Sequence, residues 1–530
     1  MRGMSAKRKT GRFLRTALLW LQSSPTLPRG FSHDPPPVPG LDLGQRHGEI
    51  PESWLRVPGT DCGWPLVHHA YISYRDACGD LRSAWEASRF RWVKPSEFPG
   101  VFEDWARANP VGLGPNWASG LEVAVRAINW VFLHDAIRKE LDPSTNRRIL
   151  AWLAAHGRHL AANPEQSPPN HGLGWALGLF TVGGYLRGLP GTSSWLASGQ
   201  EAFVSRLWAQ FLPDGTHSEG APGYGAFALE MGLCFLALCR SWGIESGQVA
   251  AILENGLGFL ANIARPDGSF PVIGDFDDGG VLRPVGTPYA DFILGLAGDL
   301  GLAVPGPRGT QCYPHGGFLI MREGPCHLVA RTDDDPSLPG GHRHSDLFSF
   351  ELWMDGPVVV DPGVFLYTGP CSRREDLRAE DAHNLAWRQG ARMHARDPKR
   401  PFTLEGRRKA LRSGWEAQEF VASHDLFGQV VERRFRLRHD GVEVADTVGE
   451  EGDWRMGLTL APGPAPEITP DGITFARNGK SYLVKLLEGN GKLGIANAIF
   501  CPAYGRKIET HRLVFTPESR SWRIFISFNS

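Results

Sequence analysis

The 530-residue sequence has almost no net charge, because 56 lysines and arginines balance 57 aspartates and glutamates. A protein that binds nucleic acid through its phosphates needs a clustered excess of basic residues, so no nucleic-acid partner is expected. The sequence also lacks an uninterrupted run of about 18 apolar residues, the minimum for a membrane-spanning helix. It therefore predicts no membrane span.

Cysteine pairs of metal-binding or redox type are absent as well, since the eight cysteines are scattered and no two of them form a C-x-x-C motif. A zinc ribbon and a thioredoxin-type site are thereby excluded. The spacing allows Cys62 to pair with Cys78, or Cys312 with Cys326. Free buried thiols are the favoured interpretation.

The first 30 residues are basic and then briefly apolar, at "ALLWL". This apolar run is shorter than that of a usual export signal, and no small-residue cleavage site follows it. The N-terminus thus leaves both a cytoplasmic and an exported protein open.

The chain is longer than one hydrophobic core usually organises, so two or three domains are expected. Residues 1–65 predict an extended lead-in, since their second half is rich in proline and glycine. Residues 66–305 carry apolar residues at three- and four-residue intervals, as Leu121, Val125 and Ile128 show, the pattern of amphipathic helices. Successive helices joined by Gly/Pro turns predict an α/α toroid or a helical hairpin array.

Residues 306–530 change to short alternating or buried apolar runs, separated by turns such as "HDG", "PDG" and "RNG". Asp-Gly and Asn-Gly pairs favour hairpin turns because both residues accept a positive φ. This part predicts an antiparallel β-sandwich. Helices first and strands second predict a multidomain α+β protein with separately packed domains.

The stretch "GGHRHSDLFSFELWMDGPVVVDPG", residues 340–363, concentrates ionisable side chains next to apolar ones. On a strand, His342 and His344 point to the same face. Pairing of "FSFELW" with "PVVV" across the "MDG" turn brings Asp361 alongside them. Two imidazoles and a carboxylate suit a divalent ion such as zinc, with His383 as a further candidate ligand. The alternative is that the histidines are ordinary surface or hydrogen-bonded residues.

The helical part carries polar clusters at the starts of helices. "SPPNHGLGWA" places Asn170 and His171 in a loop just ahead of a helix, and "DGTHSEGAPGYGAFALE" places Glu219 and Tyr224 at a helix entrance. Loops held by a rigid scaffold are where functional groups concentrate. Each residue also has a structural alternative: Asn170 as a helix cap, Glu219 as a solvated charge and Tyr224 as a packed aromatic.

A third cluster, "GPNWASGLEVAVRAINW", places Asn116, Trp117, Glu122 and Arg126 around a helix start. We predict that these residues contact a substrate. Because Glu122 and Arg126 are four residues apart, an ion pair within one helix is the alternative.

Seven sequence motifs between about residues 85 and 445 resemble, in the same order, those of the heparinase II/III-like family of polysaccharide lyases. The resemblance implies an incomplete α/α toroid followed by a stacked antiparallel β domain, with an acidic polysaccharide between them. The motifs are "GPNWASGLEVAVRAINW", "NHGLGWALGLF", "DGTHSEGAPGY", "RPDGSFPVIGDFDDG", "HRHSDLFSFEL", "VVVDPGVFLYTG" and "AHNLAW".

The family's reaction is β-elimination at a uronic acid, which needs a neutralised carboxylate, a base and an acid. By resemblance Asn170 and His171 neutralise the carboxylate, while Tyr224 and His342 transfer protons. Which of these two is the base stays open, and Tyr224 alone can serve in both roles. Glu219 joins the third cluster among the expected substrate contacts.

The resemblance also implies that His344, Asp361 and His383 hold a divalent metal, with zinc the expected ion, in a structural role. Two other classes stay open: a metal-dependent hydrolase, and a non-catalytic polysaccharide-binding or export accessory protein. Lyase action on an extracellular polymer implies a periplasmic or secreted location, which the N-terminus supports only weakly.

Overall fold

The computed structural model describes residues 24–529 except for 29–30, 32–33, 42–45, 47, 57–60, 73–78, 167–168, 370–371 and 398–399. The basic N-terminus discussed above, together with Cys78, lies outside the described residues. Cys62 is in a disulfide bond. The prediction of free thiols is therefore wrong for Cys62, whereas Cys312 and Cys326 are free.

Nine helices of eight or more residues occupy the first part of the described chain. The 3-10 turn Pro115–Trp117 precedes the third of them. The helices are α1 (Leu81–Ser88), α2 (Phe98–Ala108), α3 (Gly120–Ile137), α4 (Pro143–Ala162), α5 (Pro169–Tyr185), α6 (Thr192–Gln210), α7 (Pro222–Trp242), α8 (Val249–Ile263) and α9 (Tyr289–Asp299).

Local sequence sets the ends of these helices. Asp142 caps α4 by accepting hydrogen bonds from the backbone N–H groups of Ser144 and Thr145, at 2.9 and 3.1 Å, and Pro143 occupies the first helical position. Helix α7 ends at Gly243, whose φ of 63° favours glycine. Helices α5 and α6 approach so closely that a Cβ on Gly199 would lie 2.5 Å from the backbone nitrogen of Phe180.

The second part of the chain forms antiparallel sheets. β1 to β5 make a five-stranded sheet in chain order, and an eight-stranded sheet runs β14-β15-β16-β19-β12-β11-β10-β9. A four-stranded sheet runs β17-β18-β13-β6, and β7 pairs with β8. The strands are β1 (Gln311–Tyr313), β2 (Phe318–Glu323), β3 (Cys326–Arg331), β4 (Phe350–Met354), β5 (Pro357–Val359), β6 (Ala386–Arg388), β7 (Ala395–Arg396), β8 (Leu404–Glu405), β9 (Arg412–Glu416), β10 (Glu419–His424), β11 (Val431–Arg438), β12 (Gly441–Val448), β13 (Trp454–Thr459), β14 (Glu467–Thr469), β15 (Gly472–Arg477), β16 (Lys480–Glu488), β17 (Gly491–Ala503), β18 (Arg506–Pro517) and β19 (Ser521–Phe528).

Two large apolar cores lie in these parts. One fills the helical part and extends onto Phe318 and Ile320 of β2. The other lies among the sheets around Phe435 and Trp454. A short helix, α10 (Arg374–Leu377), lies in the loops of the sheet part. The predicted order, a helical toroid followed by an antiparallel sheet domain, is confirmed.

Helix α7 meets the length and composition criteria for a membrane span, and no other helix of the described ranges does. Within its most apolar stretch, 94% of the residues are buried inside the protein. A core helix of a globular domain meets the same criteria, so length and composition alone do not identify a membrane span.

Candidate active site

The buried carboxylate of Asp275 links the helical part to the sheet part. Asp275, in the loop between α8 and α9, lies 2.9 Å from Nδ1 of His342 and 3.0 Å from Nε2 of His344. Arg374 at the start of α10 donates to the same carboxylate. Burial alone would raise the pKa of Asp275, but Arg374 and the two imidazoles hold it well below its usual value. An ionised carboxylate only accepts hydrogen bonds, so Nε2 of a neutral His342 is left as a proton acceptor.

The two histidines do not lie on a strand as the sequence predicts. Residues 340–348 form turns and bends, and β4 begins at Phe350. His342 and His344 instead reach opposite oxygens of one carboxylate. The predicted pairing of β4 with β5 is confirmed, and it places Asp361 directly after that hairpin.

Tyr224 lies in the first turn of α7, against His342. Their rings are stacked, with centroids 3.7 Å apart and an interplanar angle of 19°. The Tyr224 hydroxyl lies 2.7 Å from the Tyr367 hydroxyl and 3.4 Å from Oδ2 of Asp277. Burial raises the pKa of Tyr224 well above its usual value, so the phenol is protonated at neutral pH. The pair thus joins a proton donor to a proton acceptor.

Tyr367 belongs to the loop that follows β5. It carries a second phenol of the site, and sequence analysis did not single it out even though "VVVDPGVFLYTG" was noted. Phe402, 40% exposed, lies beside it, with ring centroids 5.6 Å apart. No sequence spacing relates Tyr367 to Tyr224, because their contact forms only when the helical and sheet parts pack together.

Asn170 and Glu219 form an amide–carboxyl pair behind Tyr224. The Asn170 Nδ2 donates to Glu219 Oε2 at 2.8 Å and to the backbone oxygen of Tyr224 at 3.3 Å. Burial raises the pKa of Glu219. Both Asn170 and His171 lie in the first turn of α5, which begins at Pro169, so their prediction as loop residues ahead of the helix is wrong.

His171 binds a carboxylate that is itself part of the scaffold. Its Nδ1 lies 3.0 Å from Oε1 of Glu165, and Oε2 of Glu165 accepts the backbone N–H of Leu121 at 2.8 Å. Burial lowers the pKa of His171, but the Glu165 carboxylate outweighs this effect and raises it overall. His171 is therefore poised to be a cation at the first turns of α3 and α5.

His344, Asp361 and His383 come together as the family resemblance implies, whereas His342, which the residue types also suggested, is not part of the group. One nitrogen or oxygen of each lies within 4.8 Å of those of the other two. Nε2 of His344 is bonded to Asp275 and Nδ1 of His383 to Oδ2 of Asp361, at 3.0 and 2.7 Å. The remaining nitrogens, Nδ1 of His344 and Nε2 of His383, are buried and have no hydrogen-bond partner within the described part of the chain. A histidine with one nitrogen bonded to a carboxylate and the other free is arranged as a metal ligand, so these residues fit a divalent ion.

Three of the expected substrate contacts lie in the interior instead. Asn116, Trp117 and Arg126 have no exposed surface. Arg126 donates to Nε2 of His156 at 3.0 Å and to the backbone oxygen of Asn116 at 2.8 Å, and its guanidinium lies 4.4 Å from the ring centroid of Trp105. The structure does not support substrate contact by these three residues, because they pack within the toroid.

Glu122, also an expected substrate contact, is buried as well, and its partner is not Arg126, which the alternative interpretation named. Both of its oxygens accept from Arg89, at 2.7 and 2.8 Å. Arg89 in turn contacts Glu86 at 3.2 Å. The intrahelical ion pair is therefore wrong, and Glu122 ties α3 to the end of α1.

Two family models match the chain: "Heparinase II/III N-terminus" over residues 79–283 and "Heparinase II/III-like, C-terminal" over residues 305–525. Solved structures with the same fold include heparinase III, which shares 14% identity at a TM-score of 0.66 over 84% of this chain and 76% of that one. Heparan sulfate lyase HepC from Pedobacter heparinus shares 17% identity at a TM-score of 0.56 over 85% and 76%. No curated protein matches the sequence. With both halves matched in order, the chain belongs to the heparinase II/III family.

Proposed function

We propose that the protein is a polysaccharide lyase that cleaves a uronic-acid-containing polysaccharide by β-elimination. The observation that carries the proposal is the stacked pair of Tyr224 and His342, 3.7 Å apart between ring centroids, beside the amide and carboxyl of Asn170 and Glu219. Membership of the heparinase II/III family supports the same reaction class.

The elimination needs no added reactant. A base removes the proton on the carbon next to the uronate carboxylate, the bond from the neighbouring carbon to the glycosidic oxygen breaks, and a carbon–carbon double bond forms. The leaving oxygen takes a proton from an acid. In one route Nε2 of His342 takes the carbon-bound proton and the phenol of Tyr224 gives its own proton to the leaving oxygen. In the other, Tyr224 first passes its phenolic proton to Nε2 of His342, takes the carbon-bound proton as a phenolate and then gives that proton to the leaving oxygen.

Asn170 and Glu219 are suited to the charge that develops on the substrate carboxylate. The amide of Asn170 holds Glu219 and the backbone oxygen of Tyr224 in place. Burial raises the pKa of Glu219 and so favours its protonated form, which can donate to the substrate carboxylate. Donors placed where negative charge accumulates lower the barrier, since they cost no reorganisation during the reaction. Glu165 raises the pKa of His171, so the protonated imidazole would add positive charge nearby.

The direct test is a time course of ultraviolet absorbance on a panel of uronic-acid polysaccharides. We expect absorbance from the unsaturated uronate to rise together with new reducing ends. New reducing ends without this absorbance would contradict the lyase function and indicate a hydrolase. Retention of polysaccharide with neither signal would favour a binding protein.

Glu219 offers a second test, because only its neutral form donates. We expect Glu219→Gln, which keeps a neutral donor, to retain kcat within about threefold. Glu219→Ala removes the donor and is expected to lower kcat about 10- to 100-fold, which is no more than the loss of one oxyanion-hole donor usually causes. Wild-type activity should fall as pH rises through the raised pKa of Glu219, and the Gln variant should lose this dependence. Rates measured from pH 5 to 9 decide this, and equal losses in both variants would contradict the role.

We propose further that His344 and His383, with Asp361, hold one divalent ion, with zinc the expected metal because of its preference for imidazole and carboxylate. When bound, the ion would cross-link the loops that carry these residues and so stabilise the fold. His344 and His342 both bind Asp275, so a bound ion would also help to fix the loop that bears the proton acceptor.

Metal analysis of the purified protein is expected to find about one zinc per chain, and His383→Ala is expected to reduce this occupancy to near zero and lower Tm. His327→Ala is the matched control, since His327 is a buried histidine on β3 outside the cluster. Its metal content should equal that of the wild type. Metal-free wild-type protein whose Tm does not respond to added zinc would contradict the site.

A further inference from the structure

The hairpin of β17 and β18 reaches from the four-stranded sheet to the candidate site. Near its tip, Cys501 donates its backbone N–H to the oxygen of Pro362 at 3.0 Å, and Gly505 donates to the oxygen of Phe365 at 2.8 Å. The hairpin tip therefore runs along the loop that carries Tyr367. Sequence analysis assigned no function to this part of the chain.

Tyr504, at the turn of this hairpin, joins three segments through one hydroxyl. The hydroxyl oxygen accepts the backbone N–H of Tyr367 at 2.8 Å and donates to Oδ1 of Asp80, also at 2.8 Å. Asp80 caps α1 through its other oxygen, which accepts the backbone N–H of Ser83 at 3.1 Å. The hydroxyl of Tyr504 thus connects the sheet part, the Tyr367 loop and the first helix.

Neighbouring contacts hold this hydroxyl in place. Thr368 donates through its backbone N–H and its hydroxyl to the same Asp80 oxygen, at 3.3 and 3.2 Å. The guanidinium of Arg82 lies 4.6 Å from the ring centroid of Tyr504, within the range of a cation–π contact. The ring is therefore fixed from the helical side even without its hydroxyl.

We propose that Tyr504 is a positioning residue of the lyase, acting through Tyr367. The backbone of Tyr367 is held by Tyr504, and its hydroxyl lies 2.7 Å from that of Tyr224. Loss of the first contact lets the loop move and lengthens the second. Reaction rates are sensitive to displacements of this size, since a shift of about 1 Å can cost up to about 100-fold. The inference rests on the proposed lyase function.

Tyr504→Phe removes the hydroxyl and keeps the ring over Arg82. We expect kcat to fall about tenfold with KM changed less than about twofold, because the substrate contacts stay and only the geometry of proton transfer is disturbed. Tyr482→Phe is the matched control: its hydroxyl donates to the backbone oxygen of Met354 at 2.7 Å inside the sheet part. Unchanged kcat in Tyr504→Phe, or an equal loss in Tyr482→Phe, would overturn the proposal.

Two further measurements separate positioning from a general structural role. In a Tyr367→Phe background, Tyr504→Phe should cause little additional loss of kcat, since residues acting through one contact are not additive; full additivity would overturn the proposal. Amide hydrogen exchange of residues 362–369 should also speed up in Tyr504→Phe and not in Tyr482→Phe. Unchanged exchange would overturn it as well.

The exchange measurement does not depend on substrate. A wild-type protein inactive on every polysaccharide would overturn the proposed function and with it the catalytic part of this inference. Exchange would then still decide whether Tyr504 holds the Tyr367 loop, so the two failures are distinguishable.

Discussion

Tyr224→Phe is expected to lower kcat by about 10²- to 10⁴-fold, the range that a general acid or base contributes. The variant lacks the hydroxyl of the ring that stacks on the His342 imidazole, and with it the donor to the leaving oxygen. KM should change little, because the phenyl ring keeps its place against the imidazole. Initial rates from ultraviolet absorbance at saturating and limiting substrate measure both constants.

Folding should be almost unaffected by this substitution, since one hydrogen bond contributes about 0.5–1.5 kcal/mol. Tyr482→Phe again serves as the control, because it removes a buried phenol outside the site. Wild-type kcat in the Tyr224→Phe variant would show that Tyr224 transfers no proton and would leave His342 as the remaining proposed proton-transfer group.

Asp275→Asn is expected to lower the free energy of unfolding by about 3–5 kcal/mol, the cost of breaking a buried ion pair from one side. The carboxylate has no exposed surface, and its loss leaves the Arg374 guanidinium charged and buried. We also expect kcat to fall, because the asparagine no longer fixes the tautomer and orientation of His342. Denaturant unfolding gives the first quantity, and absorbance gives the second.

The pH dependence follows from the same carboxylate. Because the pKa of Asp275 is held well below its usual value, its contribution to stability is present above the unfolded pKa of about 3.9 and is lost as pH falls through the folded value. The difference in unfolding free energy between wild type and Asp275→Asn should therefore narrow in acid. A constant difference from pH 7 down to pH 3 would contradict this assignment.

Asp446→Asn is a matched control for the Asp275 variant. Asp446 forms a buried bidentate pair with Arg433 in the eight-stranded sheet, at 2.6 and 2.7 Å. The Asp446→Asn variant should have its free energy of unfolding lowered by about as much as that of Asp275→Asn. Its kcat should equal that of the wild type under conditions where the protein is folded. Equal effects of both variants on kcat would reduce Asp275 to a purely structural role.

The helices, hairpin turns and order of the two parts could be predicted because they depend on local pattern. Apolar spacing within one segment determines which face of a helix is buried, and Asp-Gly or Asn-Gly pairs determine turns. The proximity of His344 and Asp361 could also be predicted, since these two residues flank one hairpin. Such features need no knowledge of how distant segments pack.

Contacts between distant segments could not be predicted in this way. Asp275 reaches His342 across 67 residues and Arg374 across 99, and neither distance leaves a periodic signal. The expectation for Arg126 was not supported for a different reason: the apolar spacing indicated an amphipathic helix, whereas α3 is buried on all sides over most of its length. Its polar residues therefore face the interior, although their types suit a sugar site.

His342 is tied to the helical part by its main chain as well as its ring, since the backbone N–H of Asp275 donates to the His342 oxygen at 2.9 Å. The residues of the candidate active site thus come from both sides of the exposed linker at residues 306–310: Asp275 precedes the linker and His342 follows it. A chimera that recombines two family members at this linker would pair a carboxylate from one parent with an imidazole from the other. The two parts can therefore be exchanged intact only together, and neither part carries the chemistry by itself.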